Sequence, residues 1–314
     1  AGNISKFAES LMNSLQSVTV DYGAYQAGFE FRPVKRAACY VPGGRYPLPS
    51  TALMTSLTAR AAGVKDICIV SPMLCDEVLY AGYLAGVVEF IELGGAQAVS
   101  ALAFGTASIG AADVIVGPGN AYVTEAKRQL FGQVGMDTLA GPSEVVIIAD
   151  SQARAEWVAL DLLAQAEHDP EARVYLFTDS AELAGSVNEA LAASLEDLHL
   201  PDFVPVVLSE SAIVVLDSLD SCAGLSNFVA PEHLELHVQE PESLKENLTS
   251  YGALFMGNYA AVPFGDYMAG PNHTLPTNRA ARYAGGLSPL TFLRGQSWLK
   301  IPDRAPGLAA GTAA

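Results

Sequence analysis

From residue 36 onward, short apolar runs alternate with amphipathic stretches. The runs predict strands at Ile67–Ser71, Val87–Glu92, Asp113–Val116, Val145–Ala149, Val174–Thr178, Ile213–Leu216, Leu234–Val238 and Leu254–Met256. They are continuous rather than alternating, as expected of strands covered on both faces. The stretches between them predict helices at Ala121–Phe131, Arg154–Ala166, Ala181–Leu195 and Glu242–Asn247. Such alternation implies an α/β protein with mainly parallel sheets. Eight or more strands over this length imply two sheets, and Ala140-Gly141-Pro142-Ser143 marks a candidate domain crossing. No fixed-period repeat is visible.

Ahead of this pattern, Ile4, Phe7, Ala8, Leu11, Met12 and Leu15 recur at helical spacing. Asn3 or Ser5 is placed to cap that helix. Its apolar stripe must lie against the body of the protein or against a partner.

Glycine–proline clusters mark the loops Val41-Pro42-Gly43-Gly44, Gly117-Pro118-Gly119-Asn120, Gly141-Pro142-Ser143 and Gly270-Pro271-Asn272. In open α/β sheets the loops after strands gather at the ligand crevice. Gly117–Asn120 follows a strand and opens a helix, so its backbone N–H groups are placed to meet a phosphate or a ribose. An ordinary strand-to-helix turn satisfies the same pattern. There is no GxGxxG, so any dinucleotide must be held in a non-standard way.

Composition narrows the function classes. Half of the 314 residues are apolar and only 16% are charged, which suits a packed core and excludes a disordered chain. The net charge of −17 argues against a nucleic-acid partner. Cys39, Cys68, Cys75 and Cys222 form no CxxC pair, and Cys68 sits in an apolar run. A reducing, cytoplasmic setting is therefore expected. No apolar run approaches the roughly 18–20 residues of a membrane span. The chain starts at Ala1 with no signal-peptide pattern. Pro306–Ala314 is almost all small residues and reads as a frayed tail.

Three polar clusters stand out. Gln165 and His168 share one face at the end of a predicted helix and offer an amide oxygen and an imidazole to a divalent ion. A histidine placed at the helix's negative end accounts for the same residues without a metal. Glu232 and His233 stand at the mouth of a strand, where a carboxylate and an imidazole can share acid–base work. A solvated charged turn is the alternative, and His237, further along, reads as structural. Asp266 can complete a metal site and His273 can meet a substrate, or both can belong to a polar loop. Three of the five histidines thus sit beside Gly/Pro punctuation, which favours one site over three accidents.

Seven blocks, from about residue 34 to about residue 300, carry a family resemblance. They are Tyr40-Val41-Pro42-Gly43-Gly44, Gly94-Gly95-Ala96-Gln97-Ala98, Gly117-Pro118-Gly119-Asn120, Ala140-Gly141-Pro142-Ser143-Glu144, Gln165-Ala166-Glu167-His168-Asp169, Ala230-Pro231-Glu232-His233-Leu234-Glu235 and Gly270-Pro271-Asn272-His273. In order and spacing the chain resembles the histidinol dehydrogenases. The resemblance implies oxidation of L-histidinol to L-histidine through the aldehyde, in two NAD-linked hydride transfers, with zinc orienting the substrate. It implies Gln165, His168 and Asp266 as zinc ligands and Glu232 and His233 as the acid–base pair. Ser143, Gln165, His168, His233, Asp266 and His273 would face the substrate, and Tyr40, Gln97 and Asn120 would face NAD.

The implied fold is two incomplete Rossmann-type α/β/α domains in a homodimer, with the site in the crevice between the domains. The domains would span residues 40–144 and 145–300, the second packed with 1–39, followed by a tail at 301–314. The ends are expected to be short for the family. Its C-terminal segment carries a substrate-binding glutamate and a fourth zinc ligand, a histidine, whereas residues 301–314 contain neither residue type. Three ligands and an open position remain a workable catalytic pattern. Two alternatives stay open: the same chemistry on another small polar alcohol, and a non-catalytic relative binding nucleotide or a partner. The intact Glu232–His233 pair speaks against the latter.

Overall fold

The computed structural model describes residues 1–43, 48–267, 269–302 and 311. Gly44 and nearly all of the tail expected from Pro306 lie outside them. The chain folds as two compact units. The first comprises Ala1–Val116, Leu130–Met136 and the segment from Ser288; the second comprises Gly117–Gln129 and Asp137–Leu287.

The first unit opens with the expected helix, Gly2–Ser14. It starts earlier than its predicted caps: Ala1 is the cap residue and no side chain caps it. Asn3 and Ser5 are inside the first turn, whose N–H groups are at the surface within reach of water. Of the apolar stripe only Ala8 is buried, while Phe7 and Leu11 stay exposed. Strand β1 (Val18–Asp21) pairs antiparallel with β2 (Gln26–Pro33). Then come β3 (Arg36–Tyr40), β4 (Asp66–Ser71), β5 (Glu89–Glu92), β6 (Val114–Val116) and β7 (Gly135–Met136), in one parallel sheet of order β5-β4-β3-β6-β7.

The second unit carries β8 (Glu144–Ala149), β9 (Arg173–Thr178), β10 (Ala212–Val215), β11 (His233–His237) and β12 (Ala253–Met256). They too form a parallel sheet, of order β10-β9-β8-β11-β12. Counted along the chain, both sheets have the order 3-2-1-4-5. The strand order therefore reverses beside β3 in one unit and beside β8 in the other, the switch point of doubly wound folds.

All five strands of the second unit match predicted runs, each starting one residue earlier. That residue is Glu144, Arg173, Ala212, His233 or Ala253, small or polar and so outside an apolar run. Strands β4, β5 and β6 match predicted runs as well. The predicted helices appear as Ala121–Leu130, Ala155–Ala166, Ala181–Asp197 and Pro241–Lys245. Two apolar layers sandwich the second sheet. One face of β8 (Val145, Ile147, Ala149) packs on helices Ala155–Ala166 and Ala181–Asp197; Val146 and Ile148 pack with Leu234, Leu236, Cys222 and Ala223 on the other. Each fully buried aliphatic side chain stabilises by roughly 1.5–3 kcal/mol.

The last strand, β13 (Leu293–Lys300), returns to the first unit and pairs antiparallel with β2, giving the order β1-β2-β13. This small sheet escaped prediction because β1 is only four residues long and β2 and β13 are short on apolar residues and interrupted by glycine. The glycines have a packing reason: a Cβ at Gly28 would collide with the Trp298 ring, and one at Gly295 with the Phe29 ring. Cys68 is in the core as expected, and all four cysteines are free. Among the described residues, no helix is long and apolar enough to cross a membrane.

Candidate active site

The sequence of β11 is His233-Leu234-Glu235-Leu236-His237, and all five residues are buried. Side chains alternate across a strand. Leu234 and Leu236 fill one apolar layer, which turns His233, Glu235 and His237 to the opposite face. The approach to this strand is built backbone first. Ala230 adopts a left-handed conformation (φ 52°) to end helix Leu219–Val229, and Gly252 lets the chain pass close to Glu232. A Cβ at Gly252 would stand 2.5 Å from the Glu232 carbonyl oxygen.

His233 opens β11 opposite Val145 of β8. Its Nδ1 lies 3.0 Å from the main-chain carbonyl of Glu144. A carbonyl only accepts, so Nδ1 carries the proton and Nε2 is the basic nitrogen. That Nε2 faces Nε2 of His273 at 3.0 Å, with the rings stacked at 4.8 Å. His273 Nε2–H must then be the donor. Burial pulls the pKa of both imidazoles down to about 4, and for His273 the neighbouring His233 adds to the effect. Phe255 closes the apolar side of the pair.

Glu232 stands beside this base. Its Oε2 accepts from Ser143 Oγ at 2.5 Å and from the Glu144 N–H at 3.1 Å, and lies 3.6 Å from His233 Nδ1. Burial raises the Glu232 pKa, and the two hydrogen bonds partly counter it. Burial and the charge of Glu232 also push the Glu144 carboxyl up to about 7.

Asp266, in the short helix Pro263–Tyr267, places Oδ2 3.9 Å from His273 Nε2. A Cβ at Gly265 would stand 2.5 Å from His273 Nδ1, so the bare glycine admits this ring. His168 is exposed, yet it interacts electrostatically with Glu232, His233 and His273. Gln165 is buried one turn before it in helix Ala155–Ala166. Asp266 thus contacts His273, and His168 acts on the histidine pair through its charge, while Gln165 is buried one turn before His168.

The three residues expected at NAD fall in both units. Tyr40 and Gln97 belong to the first unit, Asn120 to the second. Tyr40 closes β3, and its hydroxyl accepts from Gly95 N–H at 3.2 Å. Gln97 is exposed in the first turn of helix Gly95–Phe104. Asn120 Oδ1 accepts from Val123 N–H at 3.1 Å, so it caps the following helix. Each side chain keeps an N–H or O–H donor, which suits the oxygen-rich surface of a dinucleotide.

The comparisons with known proteins bear on this arrangement. The sequence model of a family described as histidinol dehydrogenase matches residues 1–311, wider than the stretch carrying the seven blocks. The chain belongs to the histidinol dehydrogenase family. It is 50% identical over 282 residues to the histidinol dehydrogenase of Parasynechococcus marenigrum, covering 88% of this chain and 64% of that relative. The chain therefore spans just under two thirds of the length of that relative. The crystal structure of histidinol dehydrogenase from Elizabethkingia anophelis superposes with a TM-score of 0.91 at 37% identity, over 96% of this chain and 71% of that one. Succinate-semialdehyde dehydrogenase from Burkholderia pseudomallei matches with a TM-score of 0.60 at 11% identity, over 95% of this chain and 76% of that one, a likeness of fold alone.

Within this histidinol dehydrogenase fold, sequence reasoning missed three features. The first is Glu144, whose carbonyl sets the His233 tautomer; only its place one residue before an apolar run signalled it. The second is a buried pair in the second unit. Lys127 Nζ meets Asp137 Oδ1 at 2.5 Å and the Gly117 carbonyl at 2.7 Å, while Asp137 Oδ2 accepts from Gly117 N–H at 2.7 Å. That pair fixes the loop leading to Asn120. The third is a cluster of Asp161, Glu235 and His237. Burial opposes a charge on His237, but the two carboxylates outweigh it and raise its pKa to about 9. The strand's period-2 pattern carried that signal, since a charged face on a covered strand needs partners. A cavity of about 460 Å³ lined by Leu162, Val174 and Leu191 lies between helices and strands β9 and β10 of the second unit and contains none of the candidate residues.

Proposed function

We propose that the chain carries the catalytic core of an NAD-dependent histidinol dehydrogenase, oxidising L-histidinol to L-histidine through the aldehyde. One observation carries the reading: a buried imidazole, His233, whose Nδ1 is tied to a carbonyl and whose unprotonated Nε2 faces His273, next to the partly buried carboxylate of Glu232. When bound, NAD would accept hydride and zinc would orient and polarise the substrate.

The chain's own residues would do the rest. Neutral His233 takes the proton of the alcohol at Nε2, once the alcohol replaces the His273 N–H that this nitrogen accepts from in the free chain. The positive charge that develops is met by Glu232 at 3.6 Å and, beyond His273, by Asp266. For the aldehyde stage, Glu232 accepts a proton from water, and its raised pKa makes it a stronger base than a surface carboxylate. Ser143 holds Glu232 in place and presents a hydroxyl to the substrate. His233 then serves a second time. Gln165, His168 and Asp266 would hold zinc, and Tyr40, Gln97 and Asn120 would meet NAD. The family supports a homodimer, and the four free cysteines support a reducing, cytoplasmic setting.

The test is NADH formation from L-histidinol with zinc supplied, for the unaltered chain and for His233→Gln. Turnover that collapses in the variant supports the reading. Turnover only with other small alcohols moves the substrate and keeps the chemistry. No turnover with any alcohol overturns the enzyme reading in favour of a binding role.

A further inference from the structure

Glu235 and His237 are each only 1% exposed, and neither has a part in the chemistry above. Glu235 Oε2 and both ring nitrogens of His237 lack a hydrogen bond of good geometry, although His237 and the two carboxylates attract one another. His237 Nε2 is 3.5 Å from Glu235 Oε2 and 3.4 Å from Asp161 Oδ2. A hydrogen-bonded ion pair would close to about 2.7–2.9 Å. Zinc bound at about 2.0–2.2 Å in a tetrahedron instead sets its donors about 3.3–3.6 Å apart. The two spacings to His237 Nε2 fit the second geometry and are longer than the first, and the donor atoms of all three residues lie within 4.8 Å of one another.

Charge points the same way. Two carboxylates and a neutral imidazole carry two negative charges, which a dication cancels; a proton on His237 would leave one of them buried. Glu235 is already oriented, since its Oε1 accepts from Val262 N–H at 2.9 Å. Asp161 is the partly exposed member, with 18% of its side chain accessible, and provides the way in.

We propose that Asp161, Glu235 and His237 form a zinc site separate from the one expected at Gln165, His168 and Asp266. His237 is four residues along β11 from His233, about 13 Å at the rise of a strand. Asp161 and Gln165 lie on one face of helix Ala155–Ala166, one turn apart. The ion would clamp that helix to β11 and so fix Gln165 and His233 from behind. This inference does not rest on the proposed function.

The test is zinc binding to the full chain, stripped with chelator and reloaded with Zn²⁺ alone. Metal content and zinc-induced rise in unfolding temperature are read for the unaltered chain, His168→Gln, Asp161→Asn and His237→Gln. His168→Gln should keep one tightly held ion and its thermal shift. Asp161→Asn and His237→Gln should weaken that ion at least about tenfold. Should His237→Gln fail to fold, the part-exposed Asp161→Asn decides. Zinc affinity unchanged in Asp161→Asn, or no zinc held by His168→Gln, overturns the proposal; loss only in His168→Gln does so while leaving the zinc of the proposed function intact.

Discussion

The two parallel sheets share one strand order, yet they differ in what their fourth strands carry. In the first unit that strand is β6, Val114-Ile115-Val116, buried and wholly apolar. In the second it is β11, equally buried, with His233, Glu235 and His237 along one face. Topology sets the burial of both. The polarity does not follow from the topology, and it is costly: buried ionisable groups must be paired, neutral or coordinated. The candidate base is also at the amino end of β11, beside Glu144 at the amino end of β8. Doubly wound folds usually collect ligands at the carboxyl ends. The candidate base of the second unit thus stands at the end of the sheet opposite to the one where the fold rule places ligands.

The sharpest way to probe that difference is to remove the base. His233→Gln should lower kcat for NADH formation about a thousandfold, or about 4 kcal/mol of barrier. The glutamine amide can still donate to the Glu144 carbonyl, so the fold should hold. A variant that unfolds, or one that keeps its rate, would mean that the polar face of β11 is structural.

Next in size is the brace of the Asn120 loop. Removing one partner of a buried ion pair costs about 3–5 kcal/mol because the other charge is left uncompensated. Asp137→Asn should therefore lower the unfolding free energy in denaturant by about 3 kcal/mol. Replacing Lys127 and Asp137 together by apolar residues should recover part of it. Equal losses in the single and double variants would show that the pair's main role is to hold Gly117.

These two effects differ in how legible they were. The parallel strands of the second unit could be read from apolar runs, because continuous burial leaves continuous apolar sequence. Glu232, His233, Asp266 and His273 were readable as motif residues, and the structure brings them together. What could not be read was any relation of backbone to side chain. Glu144 acts through its carbonyl, which no residue type advertises. Lys127 looked like one more charge in an amphipathic helix, and only the fold returns Asp137 to it across a gap of ten residues. The β1-β2-β13 sheet was hidden for a related reason: β13 pairs with β2 from the other end of the chain, and aromatic rings supply the bulk over its glycines.

Glu144 gives a pH-dependent test of the second sheet. Its carboxyl is raised from 4.5 to about 7, chiefly by burial and then by Glu232. The native state therefore binds a proton that the unfolded chain has already lost. The stabilisation is full below the unfolded pKa and is lost as pH rises through about 7. Measured against Glu144→Gln, which cannot ionise, the unaltered chain should lose about 2 kcal/mol between about pH 5 and pH 8. The main-chain contacts of Glu144 survive in the variant. A pH-independent gap between the two melting curves would show that this carboxyl is not held protonated.

The smallest effect belongs to the apolar sheet, and it completes the comparison. Ile115 is fully buried at the centre of β6, paired with Ala38 of β3. Ile115→Val removes one methylene, so stability should fall by about 1 kcal/mol from lost burial and a small cavity. Turnover at a temperature well below the transition should stay as it was, because β6 contributes packing and no chemical group. If kcat fell as well, catalysis would depend on fine positioning within the first unit. The two fourth strands would then differ in the kind of residue they carry, while both would bear on the reaction.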